Sequence, residues 1–208
     1  MIRETLSFDD VLLEPQYSDI ESRSEVSLKS DLGANIDFRL PLIASPMDTI
    51  SGAEMSIAMS KLGGLAVLHR YNTITEQCQM VTRVKDGLTE EHPVAAAIGV
   101  TNDYYERAQE LVSYGVNILC VDVAHGHHSM MERAIKALKD KYGNNVHLMA
   151  GNVATLESFE ALASWGADSV RVGIGGGSIC STRLVSGHGV PTFQSILECS
   201  RTTYDTKI

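Results

Sequence analysis

Residues 118–174 read ILCVDVAHGHHSMMERAIKALKDKYGNNVHLMAGNVATLESFEALASWGADSVRVGI. Three short, nearly continuous apolar runs stand out: ILCVDV from Ile118, HLMAGNV from His147 and SVRVGI from Ser169. Runs of this kind are how strands buried on both faces look. Between them, Met130–Tyr142 and Leu156–Ser164 carry helical spacing, and Gly143 and Gly166 stand where those patterns stop. Strands alternating with helices predict βαβ units on a parallel sheet.

The alternation continues toward the N-terminus. LIASP from Leu42, GLAVLH from Gly64 and VAAAIGV from Val94 read as strands. Ala53–Leu62, Glu76–Val84 and Tyr104–Ser113 read as helices, with Gly63 and Gly115 as stops. The strand-to-strand intervals from Leu42 to Ser169 average about 25 residues, the repeat of a (β/α)8 barrel of about 250 residues. A doubly wound sheet fits that spacing almost as well, but no Gly-x-Gly-x-x-Gly follows the first strand. The expected fold is therefore α/β, of the (β/α)8 TIM-barrel type. About six βα units are present against the eight of a closed barrel, followed by a helical stretch from Phe193 to about Thr202. Residues 1–208 are expected to form one barrel-type domain, C-terminally truncated, with two open sheet edges. Ahead of Leu42, the alternation from Val26 to Leu32 predicts a half-buried strand.

Charge excludes several roles. Seventeen basic against 26 acidic residues give a net charge of −9, with no basic run. Neither nucleic acid nor an anionic membrane surface is an expected partner. No apolar run approaches a membrane span, and MIRETLSFDD has no apolar signal region. The cysteines, Cys78, Cys120, Cys180 and Cys199, are too scattered for a zinc site or a disulfide framework. A cytoplasmic location is expected.

In barrels and open α/β sheets function collects at the C-terminal ends of strands. Those ends carry Ser45-Pro46-Met47-Asp48-Thr49, His69-Arg70, Asp122 with Val123-Ala124-His125-Gly126-His127-His128, Gly151-Asn152, and Gly173 to Arg183. In the last segment Gly173, Gly175, Gly176 and Gly177 permit positive φ and close backbone approach to a ligand. Serial N–H groups there form an anion nest, to which Ser178 adds a hydroxyl. Cys180, with Ser181, Thr182 and Arg183 after it, has the surroundings of a reactive thiolate; a glycine-rich turn with a small packing cysteine is the alternative. Asp122 closes an apolar strand, and either meets a ligand hydroxyl or caps the following helix. Asn152 has the same two readings, with Thr155 the better cap. Adjacent histidines at 125–128 do not face one way, which argues against a metal there. Cys78, Cys120 and Cys199 fall in helix or strand patterns and read as packing residues.

The segments FDDVLLEP, PLIASPMDT, GGLAVLHR, VDVAHGH, AGNVAT and VGIGGGSICSTR followed by GHGVP, running from Leu6 to about Cys199, resemble the IMP dehydrogenase/GMP reductase family of barrel oxidoreductases. The resemblance implies a purine-nucleotide oxidoreductase. Cys180 matches the family nucleophile, which adds to C2 of IMP before hydride passes to NAD and water releases XMP. In a reductase the same adduct forms from GMP, ammonia leaves and NADPH supplies the hydride. Thr182 matches the family's active-site threonine. Ser178 matches a phosphate ligand, Ser45, Met47 and Asn152 match nucleotide contacts, and Asp122 a contact to the cofactor's nicotinamide ribose. The backbone carbonyls of Gly175, Gly177 and Cys180 match a monovalent-cation (potassium) site of the dehydrogenases. The family forms tetramers, so a homo-oligomer is expected.

Three departures accompany the resemblance. Gly176 stands where a proline is common in the bacterial motif, which is expected to loosen the loop. His69 to Val94 leaves no room for the paired regulatory (CBS) module that many dehydrogenases insert. The family's last two strands, with further phosphate and ribose contacts and a flap arginine that activates water, lie outside these residues. SPMDT, AGNVAT and SICSTR with GVP lean to the dehydrogenase; the missing module and Ile196–Cys199 lean to the reductase. IMP dehydrogenase is the favoured expectation and GMP reductase the runner-up. A further alternative is an inactive fragment that binds nucleotide or needs a complementing C-terminal chain. The chain alone is expected to turn over neither IMP nor GMP at a useful rate.

Overall fold

Side chains alternate across a strand, so each apolar run must supply two buried faces, and the structure shows where each goes. A computed structural model describes residues 4–33, 36–89 and 92–208. A short antiparallel hairpin comes first, β1 (Ser30–Asp31) with β2 (Asp37–Phe38). Strands and helices then alternate as β3 (Ile43–Ala44), α1 (Ala53–Leu62), β4 (Leu65–Leu68), α2 (Ile74–Asp86), β5 (Ala95–Ile98), α3 (Tyr104–Ser113) and β6 (Ile118–Asp122). They continue as α4 (Ser129–Tyr142), β7 (His147–Val153), α5 (Leu156–Trp165), β8 (Ser169–Val172), α6 (Thr182–Ser186) and α7 (Thr192–Cys199). Strands β3 to β8 form one parallel sheet in sequence order, curled into a half-barrel as an incomplete TIM barrel would be.

The two faces hold two cores. Leu68, Ala96, Ile98, Leu119, Val121, Leu148 and Val170 point outward and pack against Val81, Leu111, Ile135 and Phe159 of the surrounding helices. Leu65, Val67, Ala95, Ala97, Ile118, Cys120 and Met149 point inward, where Leu32 and Phe38 from the hairpin region join them. Helix ends follow local chemistry. Thr73 and Glu76 form a capping box at α2, and Thr155 caps α5 through Ser158. Gly63 and Gly166 close α1 and α5 at φ 91° and 111°, which a side chain would strain.

All six predicted sheet strands are present, and the helices agree within a few residues. The expected strand over Val26–Leu32 shrinks to β1. Its partner β2 offers only two residues, and Val26 and Leu28 stay half exposed. The second open edge is also not fully open. Helix α7 packs on α5 and β8, which brings Lys207 alongside Ser169 in a parallel bridge. Val170 N–H donates to the Lys207 carbonyl at 2.8 Å. Among the described residues no helix is long and apolar enough to cross a membrane.

At the N-terminal end of the inner face, buried His147 sits 2.7 Å from Ser169 Oγ. Burial pushes its pKa below the ordinary histidine value, opposed by nearby Asp168 and assisted by Lys139. The unfolded chain binds the proton more readily, so this stability is present above about pH 6.5 and lost as pH falls. Melting temperature is expected to drop between pH 7.5 and 5, and His147→Asn to flatten that slope. An unchanged slope in the variant would refute the assignment.

Candidate active site at the C-terminal ends of the strands

Register decides which polar side chains meet. Asp122 of β6 pairs with Gly151 of β7, and Gly151 with Arg171 of β8. The middle residue has no side chain, so Arg171 reaches across it: Nη1 donates to Asp122 Oδ1 at 2.5 Å. A Cβ on Gly151 would lie 2.7 Å from Arg171 Cβ, so glycine is required by the close approach. The same guanidinium is 3.8 Å from Cys120 Sγ and 3.4 Å from Ser45 Oγ. Burial opposes the Arg171 charge, but Cys120 and Asp122 together hold its pKa above the ordinary arginine value. Arg70 adds a hydrogen bond to the Asp122 carbonyl at 3.2 Å. Asp122 is therefore half of an ion pair and not a helix cap, the role taken by His128, whose Nδ1 accepts from Met130 N–H.

Asn152 lies one residue beyond Gly151. Its Nδ2 donates to the Gly173 carbonyl at 2.9 Å, and its own carbonyl accepts Gly126 N–H at 2.8 Å. It thereby ties the ends of β6 and β7 to the glycine-rich loop after β8. Ser45 and Met47 are exposed on the turn after β3. Ser51 Oγ donates to the Ser45 carbonyl and fastens that turn. His127 turns away to Trp165, with ring centroids 6.0 Å apart.

The loop itself turns through Gly173 and Gly175, at φ 132° and 71°. An antiparallel bridge between Ile174 and Val190 closes its base. Gly176 is packed rather than loose: a Cβ there would sit 1.9 Å from Thr192 Oγ1. Cys180 is half-buried, its Sγ 3.3 Å from Thr182 Oγ1. The Thr182 hydroxyl and backbone N–H, with smaller help from Arg183 and the Gly175 backbone, hold this thiol below its ordinary pKa. The other thiols go the opposite way. Burial pushes Cys120 and Cys199 up to about 11 and raises Cys78. Ser178 is exposed beside Ile179, with no hydrogen bond to the other candidates.

A sequence model of the IMP dehydrogenase / GMP reductase domain matches residues 5–208, nearly the whole chain. The chain belongs to the IMP dehydrogenase / GMP reductase family. Among its relatives, inosine-5'-monophosphate dehydrogenase of Cryptosporidium parvum is 36% identical, over 96% of this chain and 58% of that protein. The enzyme of the same name from Borreliella burgdorferi is 35% identical, over 99% of this chain and 62% of its own length. GMP reductase of Leishmania major is 28% identical, over 95% and 67%. The chain thus spans about three fifths of the length of the first two relatives.

Within this family member, Arg171 is the residue of the candidate site that sequence reading missed. The signal was there: a lone arginine sharing the inward face of an otherwise apolar strand demands a buried partner, and Asp122 was the available carboxylate. The implied cation ligands test differently. Neutral carbonyls suit a monovalent cation. Gly175, Gly177 and Cys180 do lie on one loop, but the Gly177 carbonyl already accepts Cys180 N–H at 3.1 Å. Among the described residues no cluster of histidine, cysteine and carboxylate side chains adds to that set.

Proposed function

We propose that this chain carries the nucleotide and thiol half of a purine-nucleotide oxidoreductase, with IMP as substrate and NAD as hydride acceptor. The carrying observation is the contrast at Cys180, the single cysteine whose surroundings favour thiolate. In this reading Cys180 Sγ attacks C2 of IMP. When bound, the nicotinamide cofactor accepts the hydride that leaves C2. Water then hydrolyses the thioimidate on Cys180 to give XMP and free thiol. Splitting the reaction at a covalent stage is nucleophilic catalysis. Thr182 favours the thiolate before attack. Ser178, Ser45, Met47 and Asn152 hold the nucleotide, Ser178 toward the phosphate. The second oxygen of Asp122, unpaired among the described residues, accepts from the cofactor ribose. That residue set fits a dinucleotide with a free ribose diol. A potassium ion on the loop carbonyls remains an accessory to this reading, and no step depends on it.

The same residues serve a GMP reductase with NADPH, a second reading favoured by the Leishmania relative. The two separate cleanly. The chain is incubated with IMP plus NAD, which takes up the hydride, or with GMP, which releases ammonia, and Cys180 peptides are examined by mass spectrometry, alongside absorbance assays with IMP plus NAD and GMP plus NADPH. An adduct on Cys180 supports the family chemistry, and whether it forms with IMP plus NAD or with GMP separates the two readings, even where turnover is too slow for the absorbance assays. No adduct with either nucleotide would sink it. Residues 1–208 are taken as one barrel-type unit, with α2 joined to β5 through residues 87–94 and no regulatory module between. A cytoplasmic location and a homo-oligomer complete the proposal.

The Asp122 role has its own test. Losing charge-assisted hydrogen bonds costs about 1.5–3 kcal/mol, or roughly a ten- to hundredfold loss of affinity. Asp122→Asn is expected to weaken dinucleotide binding in calorimetry by that order and leave IMP protection of Cys180 against alkylation intact. Unchanged dinucleotide affinity would end the assignment.

A further inference from the structure

The N-terminal segment passes over the far side of the Cys180 loop. Leu6 and Gln194 exchange hydrogen bonds: Gln194 N–H donates to the Leu6 carbonyl at 3.2 Å, and Leu6 N–H to Gln194 Oε1 at 3.5 Å. Two residues on, the Phe8 ring meets Phe193 edge to face, with centroids 5.6 Å apart and planes at 72°. Ser7 and Asp10 lock the intervening backbone into a 3-10 turn over Phe8–Asp10. Both ties land on the first turn of α7. That turn also presents Thr192, whose side chain packs on Gly173 and Gly176 of the loop. Just before it, Val190 N–H donates to the Ile174 carbonyl at 3.0 Å. A cleft of about 330 Å³ separates the strap from the loop, lined by Ser7, Asp9, Gly175, Arg183 and Thr192. The loop therefore rests on α7, and α7's first turn is held from outside by the strap.

We propose that Phe8 is a positioning residue: by holding Phe193 it seats α7 against Gly176 and so fixes the loop that presents Cys180. The inference rests on reading Cys180 as the functional thiol. It adds a residue more than 170 positions away in sequence to the parts that set that thiol's behaviour. The physical path is short. Thr182 and the Gly175 backbone favour the thiolate only while the loop keeps its turns. An aromatic pair contributes about 0.5–1.5 kcal/mol, enough to bias a glycine-rich loop without deciding the fold.

The test is the pH dependence of Cys180 alkylation by iodoacetamide in the full chain, followed by peptide mapping. Phe8→Ala is expected to move the midpoint upward, toward an ordinary thiol, and to slow labelling at pH 7 roughly three- to tenfold. Phe8→Tyr is expected to restore the wild-type profile, with all three chains still unfolding cooperatively in urea. If Phe8→Ala unfolds, Phe8→Leu is measured the same way. A profile superimposed on wild type, or a rate altered by one factor at every pH, overturns the proposal, since the latter reports access alone. A chain with no adduct from IMP plus NAD or from GMP but the expected shift would refute the nucleophile reading while leaving the strap intact.

Discussion

Brief treatment with limiting iodoacetamide at pH 7 will label Cys180 ahead of the other three cysteines, and ahead of Cys120 and Cys199 by at least about thirtyfold. A thiol at or below the ordinary range carries at least a few per cent thiolate at that pH. Cys120 and Cys199, at about 11, carry about one part in ten thousand. Their rarer thiolates are the better nucleophiles, which returns roughly a factor of ten. The ionisation advantage still wins, and both side chains are fully buried besides. Because the Cys180 pKa is lowered, its labelling rate rises at lower pH than that of a free thiol. IMP is expected to protect it. Faster reaction at Cys78 or Cys199, with no protection of Cys180, would remove the site's central residue.

The largest expected stability loss lies on the other side of the sheet. Arg107 of α3 is 6% exposed. It donates to Asp103 Oδ2 at 2.7 Å, to Gln77 Oε1 at 2.8 Å and to the Asn72 carbonyl at 3.0 Å. Gln77, itself fully buried, passes the network on to the Ala97 carbonyl of β5. Arg107→Ala removes the hub and strands Gln77 Oε1 away from water. Asp103 is half exposed and can turn to water, so the cost is that of a stranded buried acceptor, about 1–3 kcal/mol. Urea unfolding is expected to show that loss. Arg107→Lys should recover only part of it, because an ammonium cannot serve three planar acceptors at once. A loss below about 1 kcal/mol for Arg107→Ala would show that the network is not what joins α2, α3 and β5.

Short-range chemistry governs the features that can be read from the chain directly. Apolar runs of strand length, helical periodicity and glycine stops act within a few residues. The six sheet strands, the helices from α1 to α5 and the Thr155 cap are all legible in the residues themselves. The glycine-rich loop and the distinct setting of Cys180 were legible for the same reason. Tertiary structure alone decided which distant side chains meet. Asp122 and Arg171 are 49 residues apart and become partners only because parallel register sets them either side of a glycine. Thr192 fills the space at Gly176, so the freedom expected of that glycine is spent on contact. The Val26–Leu32 alternation failed because alternation states what a strand would bury, not whether a partner of equal length exists. Lys207 found the β8 edge because α7 returned the chain there, a consequence of helix packing on α5 that no local pattern encodes.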